Sequence, residues 1–403
     1  MIELKNLEDK VINIAKEKYY EPIDIEDFKL IYLYLLKKDS VYELDVPIIK
    51  CITKLASKII RNSDKDDIDI LHKIFQFNME GVNKIWGSRD EGLDIENSKI
   101  LEAHMLGHAS NTARILYSLT HNNKWLEFWF YGEYSALRVN IKNDKEHRSV
   151  LVGNAIASAC KLYDVTNDAI WLDIGLGIER EYKELIAFIP NNLKSIFHTS
   201  LAFLYKGKYN LYSEWELDKG LNFATEFYNN LKISSNFVNV RYAESARTVF
   251  AELSTASRIM YEITGDNFFI MERLSSSSTA ADFTEINNPN MYRNLEDITE
   301  AEMQMFSLTR SLNYCREAYE TIIQAIDNAK INKPDEVHSL LAKAGDIALE
   351  VYNTTTSVTY LDNAIDNFKG AIKNFPQNRS DTGFIRAMER KIEEINTIKR
   401  YAA

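Results

Sequence analysis

Four stretches of the chain carry one pattern: ILYSLTHNNKWLEFW (115–129), KLYDVTNDAIWLDIG (161–175), IMYEITGDNFFIMER (259–273) and EVYNTTTSVTYLDNA (350–364). With Tyr117, Tyr163, Tyr261 and Tyr352 as origin, an apolar residue precedes each: Leu116, Leu162, Met260 and Val351. Threonine follows at plus three (Thr120, Thr166, Thr264, Thr355) and an aromatic at plus eight (Trp125, Trp171, Phe269, Tyr360). An aliphatic comes next, at plus nine: Leu126, Leu172, Ile270 and Leu361. Ten before the tyrosine stands a small residue, Gly107, Gly153, Ala251 or Ala342, and Tyr205 starts a weaker fifth copy with Ser195 at that place.

This spacing predicts an antiparallel helix pair. Ten positions is close to three helical turns, so the small residue and the tyrosine share a face, where the partner helix can approach. Threonine and the Asn or Asp after it end the first helix and cap the second. The aromatic-aliphatic pair then opens the second helix and folds back onto the tyrosine. One hairpin cannot bury its apolar face alone, so neighbours must stack. Tyr117 and Tyr163 lie 46 apart, and Tyr261 and Tyr352 lie 91 apart, about two periods. One further unit is therefore expected between the last two copies, with residues 297–331 as a long helix. Before it, 285–302 reads as an exposed acidic loop.

Upstream, helices are expected over 3–18, 25–38 and 46–61. Another runs through Ile68, Leu71, Ile74, Phe75 and Val82, capped from Asn62, Ser63 and Asp64, and a polar loop follows over 87–97. The organisation expected is an N-terminal helical region, 1–96, and a hairpin array, 97–403. The fold class is all-α: a right-handed superhelix of about seven or eight degenerate hairpins, with a closed (α/α) toroid as the alternative.

Composition agrees. Among 403 residues, 45% are hydrophobic, enough for a large core, and only 14 are Gly and 6 Pro. Average usage would give about 28 Gly and about 20 Pro, so turn-rich sheets and glycine-lined phosphate loops lack their material. A net charge of −11 argues against nucleic-acid or anionic-membrane surfaces. Cys51, Cys160 and Cys315 are odd in number and far apart, reading as small apolar residues in a reducing compartment. With no apolar leader at the start and no long apolar run, a cytoplasmic protein is expected.

The last unit resembles a tetratricopeptide repeat. Ala364, Phe368, Ala371 and Pro376 reproduce the spacing of that family's second helix, while Ala348 stands where the family prefers an aromatic. The resemblance implies a superhelix whose concave face binds a peptide or protein. The tyrosine, threonine, aromatic-leucine rhythm also looks like the hairpins of (α/α) toroid enzymes acting on sugars, whose Gly-rich and Trp-rich mouth loops are not matched here.

Chemistry-bearing residues are few. His104 and His108 share a helix face, with Glu102 two before, but no third ligand or HExxH is at hand, so no metal or cofactor is expected. Asp64, Lys65, Asp66 and Asp67 resemble the protonating element of class II terpene cyclases, although a helix-capping cluster explains them. Positions nine and six before each tyrosine are more informative. They read His108 and Asn111, then Asn154 and Ala157, then Glu252 and Thr255. Short polar side chains on successive first helices supply donors and acceptors for an extended backbone. His108, Asn111, Asn154 and Glu252 are thus the candidate binding residues of a non-catalytic scaffold for a protein or peptide. The alternative is a toroid enzyme using His104, His108 or His198 as acid-base groups.

Overall fold

In the computed structural model, the threonine of each of the four clear copies ends its helix in the same way. The structure describes residues 4–17, 30–31, 33–34, 38–40, 44, 48–50, 52–53, 68–88, 95–139, 145–285, 288–376 and 382–402. The threonine hydroxyl donates to the carbonyl four residues back, Thr120 to Leu116, Thr166 to Leu162, Thr264 to Met260 and Thr355 to Val351, at 2.6–2.7 Å. The next residue turns left-handed: His121, Asn167, Gly265 and Thr356 have φ from +52° to +68°. Its N–H donates to the tyrosine carbonyl at 2.7–2.8 Å, closing the helix. The residue after that (Asn122, Asp168, Asp266, Ser357) returns its N–H to the threonine Oγ1 at 3.2–3.3 Å. Asn122, Asp168 and Asp266 then accept the N–H of Lys124, Ile170 and Phe268, opening the second helix.

A fifth corner of this build lies at Phe306, 45 residues after Tyr261 and 46 before Tyr352. Thr309 donates to the Met305 carbonyl at 2.7 Å, Arg310 is left-handed at φ +54°, and Ser311 donates to Thr309 Oγ1 at 3.2 Å. The expected long helix over 297–331 is therefore two helices. The expected acidic loop over 285–302 is helical from Met291, and Leu295 and Ile298 are buried on its inner face. The weaker copy also shifts by four residues. Tyr209, not Tyr205, is its origin, and the Tyr209 carbonyl accepts the Ser213 N–H at 2.8 Å. Tyr212 stands in the threonine's place there, and the next helix begins only at Leu217.

Among the described residues there are sixteen α-helices, one 3-10 turn (Pro334–Glu336) and no strand. They fall into two compact units, Met1–Lys208 and Tyr209–Ala403. In the first unit α1 is Leu4–Glu17 and α2 is Ile68–Ser88. The hairpins α3 (Ile95–Thr120) with α4 (Asn123–Arg138) and α5 (Lys145–Thr166) with α6 (Ile170–Glu181) follow. A short α7 (Lys183–Ile186) leads into α8 (Asn191–Tyr212), whose last four residues fall to the second unit. The second unit holds α9 (Leu217–Phe237), α10 (Ala243–Thr264) with α11 (Phe268–Asp282), and α12 (Met291–Thr309) with α13 (Leu312–Asn332). It ends with α14 (Val337–Thr355), α15 (Val358–Lys373) and α16 (Thr382–Ala402). From α2 to α6, and from α9 to α16, each helix packs mainly on the one before it and the one after. This is the all-α solenoid packing of hairpins that the repeat predicts.

Parts of the upstream reading lie outside the described residues: Cys51, the Asn62–Asp64 cap, the Asp64–Asp67 cluster and most of 25–38 and 46–61. Of the expected polar loop, residues 87–88 and 95–97 are helical instead.

The core follows the pattern. The plus-nine residue is fully buried in all five corners: Leu126, Leu172, Ile270, Cys315 and Leu361. Cys315 thus takes an aliphatic's place, and burial pushes its thiol up to about 11. The plus-eight aromatic does not fold back on its own tyrosine. It packs on an aromatic of the preceding hairpin's second helix: Trp125 on Phe75, Trp171 on Phe130, Phe269 on Tyr228 and Tyr360 on Tyr319, at 5.1–5.7 Å between ring centroids. Such edge-to-face pairs contribute about 0.5–1.5 kcal/mol beyond their buried area. The small residue ten back likewise faces a successive hairpin. A Cβ on Gly107 or Gly153 would meet Leu151 at 3.8 Å or Phe197 at 3.6 Å, ordinary contacts from the next first helix. A tight seam inside the hairpin lies at minus seven in two copies, where Ser110 meets Gly132 and Gly345 meets Phe368, while the second copy has the bulky Ile156 there.

Candidate functional site

In the first unit, two of the singled-out positions on α3 and one on α5 meet around a cavity. His108 and Asn111 of α3 and Asn154 of α5 line a space of about 620 Å³, together with His104, Arg114 and His147. Asn111 and Asn154 also line an adjoining space of about 310 Å³ that reaches Phe197 of α8. Glu252 is not part of it. It lines a separate cavity of about 550 Å³ in the second unit.

The polar groups of the first-unit groove are arranged by one close helix contact. Gly132 of α4 sits so near α3 that a Cβ there would lie 2.8 Å from the Ser110 Cβ and 3.3 Å from the Leu106 carbonyl. Ser110 donates to the Trp129 carbonyl at 2.8 Å across this seam. The approach brings the next residue, Glu133, between α3 and α5, where it is 2% exposed and lines both spaces. Asn154 Nδ2 donates to Glu133 Oε1 at 3.3 Å, while Oε2 has no hydrogen-bond partner. Burial pushes the Glu133 carboxyl up to about 7, against the neighbouring Ser110 hydroxyl and Asn154 amide and the charge of Arg114. Arg114 itself donates through Nε and Nη2 to Asn111 Oδ1, at 3.3 and 3.0 Å. These bonds use the Asn111 oxygen and the Asn154 nitrogen. They leave an amide donor on Asn111 and an amide acceptor on Asn154.

The histidines of the enzyme alternative are only partly assembled. His104 faces His147 with ring centroids 4.8 Å apart, and His108 lines the same space. His198 packs beside Phe197 on α8, outside the residues lining these spaces. Glu102 accepts the Trp86 Nε1–H at 2.7 Å. Among the described residues no group of three His, Cys, Asp or Glu side chains could hold a metal ion.

In the second unit three of the six minus-nine and minus-six positions, Asp297, Glu300 and Lys343, are joined by charge. The six read Glu252 and Thr255 on α10, Asp297 and Glu300 on α12, Lys343 and Asp346 on α14. Arg273, reaching from α11 and 1% exposed, donates to Asp297 and to Glu300 (2.9 Å), and Nη1 donates to Gln304 at 3.0 Å. Ser254 donates to Asp297, and Lys343 pairs with Glu296 and Glu300, each at 2.7 Å. Burial alone would lower Arg273, and the charges of Asp297 and Glu300 push it up instead. Several acidic residues of the expected loop are thus internal partners.

Sequence reasoning missed Glu133, because it lies on a second helix rather than among the repeated first-helix positions. The adjacent glycine in an otherwise aromatic helix, WFYGEY, is the available signal of a close approach. Neither the family models nor the curated proteins contain a match to this chain. Solved structures similar to it include a circular tandem repeat protein with novel repeat topology, at 12% identity over 99% of this chain and 89% of that one, TM-score 0.27. Another is the nuclear import adaptor Nro1, a hypoxic regulator of sterol synthesis, at 12% identity over 95% and 98% of the two chains, TM-score 0.28. A second structure of Nro1, from S. pombe, gives 12% identity over 86% and 99%, TM-score 0.24. Likenesses at this level carry no functional inference.

Proposed function

We propose that the chain is a non-catalytic recognition scaffold that takes an extended peptide segment into the groove between α3, α4 and α5. The observation that carries this reading is the convergence of His108, Asn111 and Asn154 on one polar cavity from two successive hairpins. A donor on Asn111 and an acceptor on Asn154 match the alternating N–H and C=O of an extended backbone. The tetratricopeptide-like last hairpin supports the same class of function. Glu252 falls to a second, separate surface in this reading, where the ion-pair ladder competes for any ligand.

The test is peptide binding by the parent and by the double variant Asn111→Ala, Asn154→Ala, measured by titration calorimetry. Each lost bond to a bound backbone costs about 0.5–1.5 kcal/mol, so affinity should fall about five- to one-hundred-fold. The variant should remain folded with a somewhat lowered thermal midpoint, since both residues are half-buried but Asn154→Ala takes the donor from the buried Glu133 Oε1. Equal affinity for the two proteins would remove these asparagines from the binding role. Turnover of a sugar, lost in His104→Ala while no peptide binds, would put the enzyme alternative in its place.

A further inference from the structure

Glu133 is an unusual residue to find at the wall of a groove. A buried carboxyl with one oxygen unpartnered is costly, since it has lost water and gained too few donors in return. The surroundings hold it there: Gly132 fixes the helix contact behind it, and Asn154 holds Oε1. Arg114, whose charge acts on it, directs Nε and Nη2 to Asn111 Oδ1. The missing element is therefore a cationic donor to Oε2.

The chemistry of that donor follows from the geometry. A guanidinium grips a carboxylate best with two parallel N–H groups shared over both oxygens, and that fork is disfavoured here because Asn154 already holds Oε1. An ammonium is a point charge with three separate donors and needs only one oxygen. Its other donors can meet the amide oxygen that Asn154 leaves open. Resting on the peptide-groove reading, we infer that Glu133 is the anchor for a primary ammonium group of the bound peptide. That group is either the peptide's N-terminus or a lysine side chain. On binding, the carboxyl proton passes to solvent and the carboxylate pairs with the ammonium.

The test uses three pools of random hexapeptide amides: free amine without lysine, N-acetylated with one lysine, and N-acetylated without lysine. Retention by the immobilised full chain and by its Glu133→Gln variant is quantified by mass spectrometry. The inference expects one or both amine-bearing pools to be enriched over the third, and Glu133→Gln to reduce that enrichment by more than about tenfold. The pool that responds tells terminus from side chain. A retained peptide should also release protons when bound by the parent near pH 6, read by calorimetry in buffers of different ionisation enthalpy. This second readout decides the matter even if the variant folds poorly. Equal retention of all three pools, or no proton release, overturns the ammonium anchor and leaves the peptide groove standing. Retention of no peptide at all overturns both.

Discussion

A left-handed residue recurs at every corner, yet the chain puts a glycine in only one of the five, Gly265. For an L residue that conformation costs about 1–2 kcal/mol, and the three hydrogen bonds of the corner must offset it. Thr356, β-branched at φ +57°, carries the largest steric penalty of the set. Thr356→Gly should therefore stabilise the second unit by about 0.5–1 kcal/mol, the entropy of glycine taking back part of the gain. Gly265→Ala should do the reverse by a similar amount, because φ is +68° and no atom lies within 4 Å of the added Cβ to complicate the reading. Urea unfolding followed by circular dichroism checks both, and a destabilised Thr356→Gly would mean that its side chain contributes more than its backbone costs.

At the scale of helices, the sequence was legible where a residue type is demanded by local hydrogen bonding, and illegible where packing alone decides. Tyr-x-x-Thr marks four corners because threonine must bond backward along its own helix and forward across the turn. Phe306 escaped notice because it keeps the threonine but exchanges tyrosine for phenylalanine and the buried aliphatic for Cys315. The minus-ten glycines pointed to a helix contact but not to which helix, since periodicity gives a face and not a partner. Glu133 escaped for a related reason: Gly132 beside it marks a close approach, but not that the neighbouring carboxylate is aimed into the seam rather than at water. The seam at minus seven supplies a test. A Cβ on Gly345 would lie 2.5 Å from the ring of Phe368, which is fully buried and has nowhere to move. Gly345→Ala should destabilise by about 1–3 kcal/mol. Gly153→Ala, with its nearest neighbour at 3.6 Å, should leave the thermal midpoint within about two degrees of the parent. Similar midpoints for the two variants would mean that α14 and α15 can part without penalty.

Across the molecule, each unit carries, among the described residues, one buried carboxyl whose proton is held more tightly than usual. Glu133 in the first and Glu302 in the second are each pushed up to about 7 by burial, from an ordinary value of 4.5. The folded protein therefore binds more protons than the unfolded chain between these values, and stability falls as pH rises through that window. The contribution is complete below about 4.5 and gone above about 7. Between pH 5 and 8 the urea midpoint should decline, and Glu133→Gln should flatten the decline that reports on the first unit. An unchanged slope in that variant would show that Glu133 ionises freely.

The recurring corner also bears on how such a chain changes length over generations. Thr309 and Thr355 end their helices through identical bonds, and Arg310 and Thr356 turn left-handed in the same way after them. Excision of residues 310–355 would set Thr356 directly behind Thr309, recreating a corner of the same chemistry, with Ser357 in place to donate to the threonine. Gain or loss of coding sequence in steps of one period would leave no foreign junction behind. The array can be edited by whole hairpins, whereas a deletion of a few residues inside a helix would turn the buried plus-nine side chain out of its core.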